Sequence, residues 1–304
     1  MSNISQILVT GSNGLIGSAL VTSLEKTGYQ VKKLVRFNPK AQAKEFLWQP
    51  STGEIDLAAL TTTDALIHLA GENIADGRWT EEKKQRLRDS RIKSTKNLCN
   101  TLLKAKCPLK VVLMASATGY YGNRGDEILT EESSLGNGFL AELTYEWEQA
   151  SKILANNNIR LVFMRIGIVL SPKGGALSKM MLPFQLGLGG QLGNGKQYMS
   201  WIIIDDVINI VEFLLKKEIS GVINVVGPNP ATNKEFTKAF GNALNRPTIF
   251  TIPGFAARLA FGELADEALF SSSRVIPARL QNEGYNFLFP ELEPGLNYLL
   301  KNSQ

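Results

Sequence analysis

The chemistry open to this chain is concentrated in three short stretches. The first, QILVTGSNGLIGSAL, sets Gly11, Gly14 and Gly17 three residues apart immediately after an apolar run. A dinucleotide needs such spacing: one glycine permits the tight turn, one lets backbone approach a pyrophosphate, and one lets the following helix pack against the strand. Leu15, Ile16 and Gly17 would then open a helix whose free N–H groups and dipole favour negative charge, with Ser12 and Asn13 as nearby donors. The second stretch, VKKLVRFNPK, ends a predicted strand on Arg36, 19 residues beyond Gly17. An acid near this point would accept hydrogen bonds from a ribose 2′-hydroxyl. The stretch contains none, whereas arginine pairs with a 2′-phosphate, so NADP is expected over NAD. The third, FLAELTYEWEQ, places Tyr145 on an amphipathic helix with Gln149 four residues later. The amide of Gln149 carries no charge with which to lower the pKa of a phenol.

These stretches need a scaffold, and the sequence spells one out. Apolar runs QILVTG, YQVKKLV, DALIHLAG, KVVLMASA, RLVFMRIGIVL and GVINVVG alternate with helix-length segments. That alternation predicts an α/β protein of the Rossmann class, a doubly wound parallel sheet with helices on both faces. The Gly-rich segment SPKGGALSKMMLPFQLGLGGQLGNGKQ shows no clear strand and reads as a mobile or substrate-facing excursion, with Tyr198 and Trp201 beyond it able to stack on a ring. WIIIDDVINIVEFLL returns to a strand and an amphipathic helix, and ATNKEFTKAFGNALNR begins another helix with a capping signal. The expected organisation is an NADP-binding domain over residues 1–170 plus about 200–228, with a smaller, discontinuous lobe for the substrate over about 171–199 and 229–304.

Composition narrows the class further. A hydrophobic fraction of 44% over 304 residues supports a sizeable core. The formal charge of +5 is spread along the chain rather than gathered in a basic run, so a nucleic-acid partner is not expected. No apolar run has the length of a membrane span, and the N-terminus enters a strand at once without a charged and apolar leader, which makes the cytosol the expected location. Cys99 and Cys107 have no second pair with which to frame a zinc site or disulfide set, and both are expected to be buried free thiols; no metal site is expected.

With these motifs in place, the chain resembles the extended branch of the short-chain dehydrogenase/reductase family, from Gly11 to about Gly227. HLAGENI is similar to the motif after the family's fourth strand, which makes Leu69, Ala70 and Gly71 implied cofactor contacts. SRIKSTKNL resembles an N-x-x-G-T helix with Arg91 in place of the Asn, and Arg86 lies one turn earlier. MASATGYYGN resembles the segment presenting a catalytic Ser or Thr, which implies Ser116 with Tyr121 and Gly122 just beyond. RIGIVLSP resembles the turn that passes the nicotinamide, implying Gly167 and Ile168. AGENI, SRI, MLPFQLGLGGQLGNGKQYMSWIIIDDV and PARLQNEGYNFLFPEL together are similar to an atypical subgroup regarded as nucleotide-sugar epimerases. Some of its members carry a cell-division-inhibitor-like name, which supplies no chemistry.

The resemblance also exposes a gap. The parent family uses a Tyr and a Lys four residues later, on one helix face, to move the substrate proton. Aligning the WE pair so that Glu148 takes the family's acidic position puts Leu140 at the Tyr site and Thr144 at the Lys site. Tyr145, five residues on, is turned by roughly 140° from that face at about 100° per residue, and is expected to be a bystander. The candidates that remain are Ser116, Tyr121 and Arg91; His68 is expected to be structural, and Asp205 and Asp206 to cap and position. Two readings follow. One is an NADP-dependent oxidoreductase or epimerase acting on a small polar or nucleotide-linked substrate, with a homodimer as its candidate assembly; the other is a non-catalytic NADPH sensor or scaffold, the cell-division association belonging with the latter.

Overall fold

A computed structural model describes residues 4–301. Its centre is a sheet built in chain order from β1 (Gln6–Thr10), β2 (Gln30–Val35), β3 (Glu45–Gln49), β4 (Glu54–Ile55), β5 (Ala65–His68) and β6 (Val111–Ala117). The short β7 (Ile128–Leu129) lies outside it, and β8 (Arg160–Ile166) rejoins it. Continuing along the chain, β9 (Ile168–Leu170), β10 (Gly190–Leu192), β11 (Tyr198–Met199) and β12 (Trp201–Ile203) pair elsewhere, and β13 (Gly221–Val225) completes the sheet. The spatial order is β13-β8-β6-β5-β1-β2-β3-β4, parallel throughout except for the last pair. The order reverses between β1 and β5. In open α/β sheets the crevice at the carboxyl ends of such a switch is where ligands bind.

The strands are buried on both faces, which is why they read as near-continuous apolar runs. Ile7 and Val9 face a core shared with α1 (Leu15–Lys26) and α6 (Ile204–Lys216), while Leu8 faces the opposite core with Leu98 and Leu102. Between α1 and α6 in the chain come α2 (Glu81–Arg88), α3 (Ser94–Lys104), α4 (Phe139–Ser151) and α5 (Gly175–Gln185). Side-chain alternation across the sheet puts successive residues of one strand into different cores. β3 and β4 are absent from the sequence expectation. They are short, sit at the sheet edge and carry a single deeply buried anchor, Trp48, so their apolar periodicity is faint.

The segment 171–199 corrects the sequence reading. The expectation is a segment without a clear strand, mobile or substrate-facing; Gly175–Gln185 is helical, even with Pro183 inside it, Gly190–Leu192 is a strand, and Gly175, Ala176 and Lys179 line the cavity described below. Leu177 and Phe184 are buried against α7 (Asn233–Leu244), where the Phe184 and Phe240 rings lie 4.5 Å apart. Each fully buried side chain of this size contributes about 2 kcal/mol, which overrides the weak local preference of a Gly-rich sequence. α7 opens with the expected capping box, Thr232 and Glu235 exchanging hydrogen bonds with each other's backbone N–H. The same core includes Trp201, Ile203 and, near the C-terminus, Leu296 and Leu300. Asp206 is buried and accepts hydrogen bonds from the Leu288 and Phe289 N–H groups and the Tyr285 hydroxyl, so it positions the chain after α6 as expected. No helix among the described residues is long and apolar enough to cross a membrane.

Candidate functional site

A cavity of about 670 Å³ opens over the carboxyl ends of β1, β5, β6 and β8. Its floor is the glycine turn. Gly11 has φ of +68°, and a Cβ there would lie 2.8 Å from the Leu69 carbonyl carbon; a Cβ on Gly17 would lie 2.1 Å from the Gly11 carbonyl oxygen. Only glycine leaves the strand, turn and helix this close. The N-cap of α1 is Gly14, which supplies no side-chain acceptor, so the first N–H groups of the helix point outward without a capping partner. Beside them the Ser12 hydroxyl is buried and has no hydrogen-bond partner among the described residues. An uncapped helix end with a buried orphan hydroxyl fits the pyrophosphate of a dinucleotide.

The turn is held from beneath by an uncharged relay. Thr10 Oγ1 accepts from the Leu69 and Ala70 N–H groups, which leaves its own proton for His68 Nδ1 at 2.7 Å. His68 Nε2 therefore carries the ring proton and donates to Thr95 Oγ1 at 3.0 Å, where Trp147 Nε1 also donates. Burial lowers the His68 pKa to about 4, so the ring stays neutral. His68 is structural, as the sequence implied: it locks strand end to helix. Burial also pushes the thiols of Cys99 and Cys107 up, to about 12 and about 11; both are free, though Cys107 is only half-buried.

The sequence candidates distribute unevenly around the cavity. Gly11, Gly14, Leu15, Ile16, Gly17, Leu69, Gly71, Arg91, Ser116, Gly167 and Ile168 line it. Ala70, Ser12, Asn13 and Arg36 do not: Ala70 leans on the core, Ser12 is buried beneath the turn, Asn13 is exposed, and Arg36 stands exposed at the end of β2 over the Phe37 ring. Arg86 is corrected: its side chain is 59% exposed and does not line the cavity, although it pairs with the lining residue Glu72. Trp201 is also corrected: it is buried with its indole N–H on the Asn229 carbonyl, whereas Tyr198 does face the cavity.

Tyr121 is the largest correction. Its side chain is fully buried, and its hydroxyl donates to Asn224 Oδ1 at 2.7 Å while accepting from Arg165 Nη1 at 3.1 Å. Burial pushes its pKa up to about 12, against the pull of Arg165. It is a member of the core rather than a proton donor to a ligand. The sequence placed it after Ser116 correctly, but a short helical turn, residues Thr118–Tyr121, directs the ring inward.

Ser116 reaches the cavity with its proton already committed. It donates to Glu148 Oε1 at 2.6 Å, and Arg165 clamps the same carboxylate at 2.8 and 3.0 Å. Burial opposes the charge on Arg165, but the Glu148 carboxylate outweighs it and its pKa is raised. Nothing in the sequence marks Glu148 and Arg165 as a pair, because they lie 17 residues apart on different elements, α4 and β8. Arg91 stacks its guanidinium 5.2 Å from the Trp147 ring and donates to the Glu72 carbonyl; burial lowers its pKa to about 10. On α4, Leu140 and Thr144 line the cavity and pack against the position of a Gly119 Cβ, while Tyr145 is 42% exposed and lies outside the lining.

Comparison with known proteins matches this architecture. The family model described as NAD dependent epimerase/dehydratase matches residues 7–227, and a second, described as a domain of unknown function (DUF1731), matches residues 252–299. The chain is 44% identical to an epimerase family protein of Mycobacterium tuberculosis over 293 residues, 96% of each chain. The crystal structure of human epimerase family protein SDR39U1 with NADPH superposes with a TM-score of 0.90 at 34% identity, covering 98% of this chain and 99% of the human one. A nucleoside-diphosphate sugar epimerase from Corynebacterium glutamicum gives a TM-score of 0.81 at 35% identity, covering 98% of this chain and 58% of that protein. A Rossmann sheet, a glycine turn at its switch point and a match over most of the length agree: the chain belongs to the NAD dependent epimerase/dehydratase family.

Proposed function

We propose that this chain is an NADPH-binding oxidoreductase or epimerase acting on a small polar or nucleotide-linked substrate. One observation carries the reading. A single cavity runs from the glycine turn, where Gly11, Gly14 and Gly17 bring backbone to the surface, to side chains of the C-terminal segment, Asp266, Glu267 and Ser273 among them. The human relative crystallised with NADPH adds the choice of cofactor.

In this reading the turn and the α1 N-terminus hold the pyrophosphate. Arg36, exposed at the end of β2, pairs with the 2′-phosphate; Leu69, Ala70 and Gly71 pass the adenine and ribose side; Gly167 and Ile168 pass the nicotinamide. NADPH when bound supplies the hydride chemistry. The chain itself binds, orients and excludes water: Arg91 presents buried positive charge at one wall, and Ser116 presents an oxygen lone pair at another, because its proton is held by Glu148. Leu140 and Thr144, in place of Tyr and Lys, leave the helix face without an acid of its own.

Fluorescence titration with NADPH and NADH, followed by incubation with carbonyl and alcohol metabolites while the nicotinamide absorbance is followed, tests the reading. NADPH preference with turnover supports it. Tight NADPH binding with no turnover across a broad panel favours a sensor or scaffold, and indifference to both cofactors defeats both.

A further inference from the structure

We infer that Glu267, from the C-terminal segment, is the proton acceptor of the substrate site, and that the substrate meets it through a hydroxyl group. The inference rests on the oxidoreductase reading above and assigns the group that α4 lacks. It follows from accounting for each acidic and basic side chain of the cavity. Glu72 is engaged by Lys83 and Arg86, Asp266 by Arg258, and Arg91 by backbone carbonyls; Lys179 sits beside Asp76 and donates to the Ala75 carbonyl. Glu267 differs. Its Oε2 accepts the Leu140 N–H at 3.1 Å, and its Oε1 has no partner among the described residues.

Its location is specific. Leu140 packs where a Cβ of Gly119 would stand, three residues beyond Ser116, and its N–H ties Glu267 to that end of α4. Gly138, the N-cap of α4 with φ of +102°, makes this approach possible, because a Cβ there would stand 2.6 Å from Glu267 Oε1.

The surroundings choose the substrate's chemistry. Four hydroxyls of the cavity have already spent their protons: Ser116 on Glu148, Thr144 on the Leu140 carbonyl, Ser200 on the Ser273 carbonyl and Ser273 on the Gly122 carbonyl. These four present lone pairs, which accept hydrogen bonds from the O–H groups of a ligand. In the oxidation direction the substrate's O–H bond breaks, its proton passes to Glu267 Oε1, and the C–H electron pair leaves as hydride to the nicotinamide dinucleotide as the carbonyl forms. In reduction the protonated carboxyl returns that proton to the alkoxide oxygen.

The test uses the full chain as wild type, Glu267→Gln, Glu267→Asp and Tyr198→Phe, Tyr198 being the one phenol in the cavity wall. The amide of Glu267→Gln still accepts from Leu140, so its melting temperature and NADPH affinity should match wild type. With NADP and a panel of free and nucleotide-linked sugars, its kcat should fall by about 10²-fold or more, and the acidic limb of the wild-type kcat/KM profile should disappear. Glu267→Asp should restore part of the rate and the limb. Independently of turnover, carbodiimide labelling read by peptide mass should mark Glu267 in the free protein and be blocked by saturating NADPH. Undiminished turnover and an unchanged pH profile in Glu267→Gln overturn the inference while leaving the cofactor reading intact, as does loss of the limb in Tyr198→Phe alone or labelling that NADPH fails to block. A wild type that ignores NADPH, or binds it without turning over any substrate, overturns the oxidoreductase reading itself and the inference with it.

Discussion

The two ends of the cavity are built by different means. At the glycine turn the site is made of backbone: two glycines whose missing Cβ atoms let strand, turn and helix touch, and a helix end without a cap. At the α4 end it is made of side chains brought from far apart, Ser116 held by Glu148, Glu148 by Arg165, and Leu140 joined to Glu267 across 127 residues. A backbone site is fixed by local sequence and tolerates little. A side-chain site depends on the fold around it, so the chemistry there can be rebuilt without altering the scaffold. The half of the site made of backbone and the half made of side chains therefore meet at one cavity.

The comparison can be broken at its side-chain end first. Glu148→Ala removes a carboxylate that satisfies both Arg165 and Ser116, leaving a buried guanidinium without its counter-charge. Losing one partner of a buried pair costs about 4 kcal/mol, and denaturant unfolding should show a loss of this size, with NADPH binding weakened only through the fraction unfolded. Replacing both partners by apolar residues of similar volume should recover much of the loss.

The relay under the glycine turn gives the next largest effect, and it is pH-dependent. His68 is neutral and buried in the folded chain with its pKa lowered to about 4 from 6.5. Between those values the unfolded chain binds a proton that the folded chain refuses, so stability is full above about pH 6.5 and falls as pH drops toward 4. The span corresponds to roughly 3 kcal/mol. Unfolding free energies measured across pH 4 to 7 should show the decline, and a His68→Gln variant, whatever its baseline stability, should show a shallower one.

How much of this was legible in the sequence follows the same division. QILVTG running into G-x-x-G-x-x-G announces strand, turn and helix because the requirement for glycine is local, and the core strands announce themselves because both faces are buried. The helix Gly175–Gln185 was hidden because its stability comes from Phe184 meeting Phe240, a contact 56 positions apart that no window of local sequence contains. Tyr121 departs from its sequence expectation for a related reason: its distance along the chain from Ser116 suits the site, but Asn224 and Arg165, which draw its hydroxyl inward, come from β13 and β8. Glu267 left no signal at all. It is one acid among 28 until the fold sets it on the N-terminus of α4.

Back at the glycine end, Arg36→Ala sharpens the contrast by touching the cofactor without touching the scaffold. The side chain is exposed and lies outside the cavity lining, so its removal should leave unfolding within about 0.5 kcal/mol of wild type. A lost charge-assisted contact to phosphate is worth about 2 kcal/mol, which is an NADPH dissociation constant raised roughly thirtyfold with that for NADH unchanged. Equal weakening of both cofactors would show that Arg36 does not meet the 2′-phosphate.

Tyr145→Phe carries the smallest expected effect and the sharpest consequence for register. Tyr145 shares α4 with Leu140 and Thr144 but not their face: those two line the cavity, while Tyr145 is 42% exposed on the outside of the helix. Five positions at about 100° each turn it roughly 140° from Leu140, too far for its hydroxyl to reach a ligand that Leu140 touches. Removing that hydroxyl therefore takes away no buried hydrogen bond and no group of the cavity, and melting temperature, NADPH affinity and turnover should all match wild type. A collapse of turnover with the fold and cofactor affinity intact would mean that α4 presents its tyrosine after all. The division between a backbone-made cofactor end and a rebuilt proton end would then fail at the residue that best separates this chain's α4 from a helix bearing its own acid.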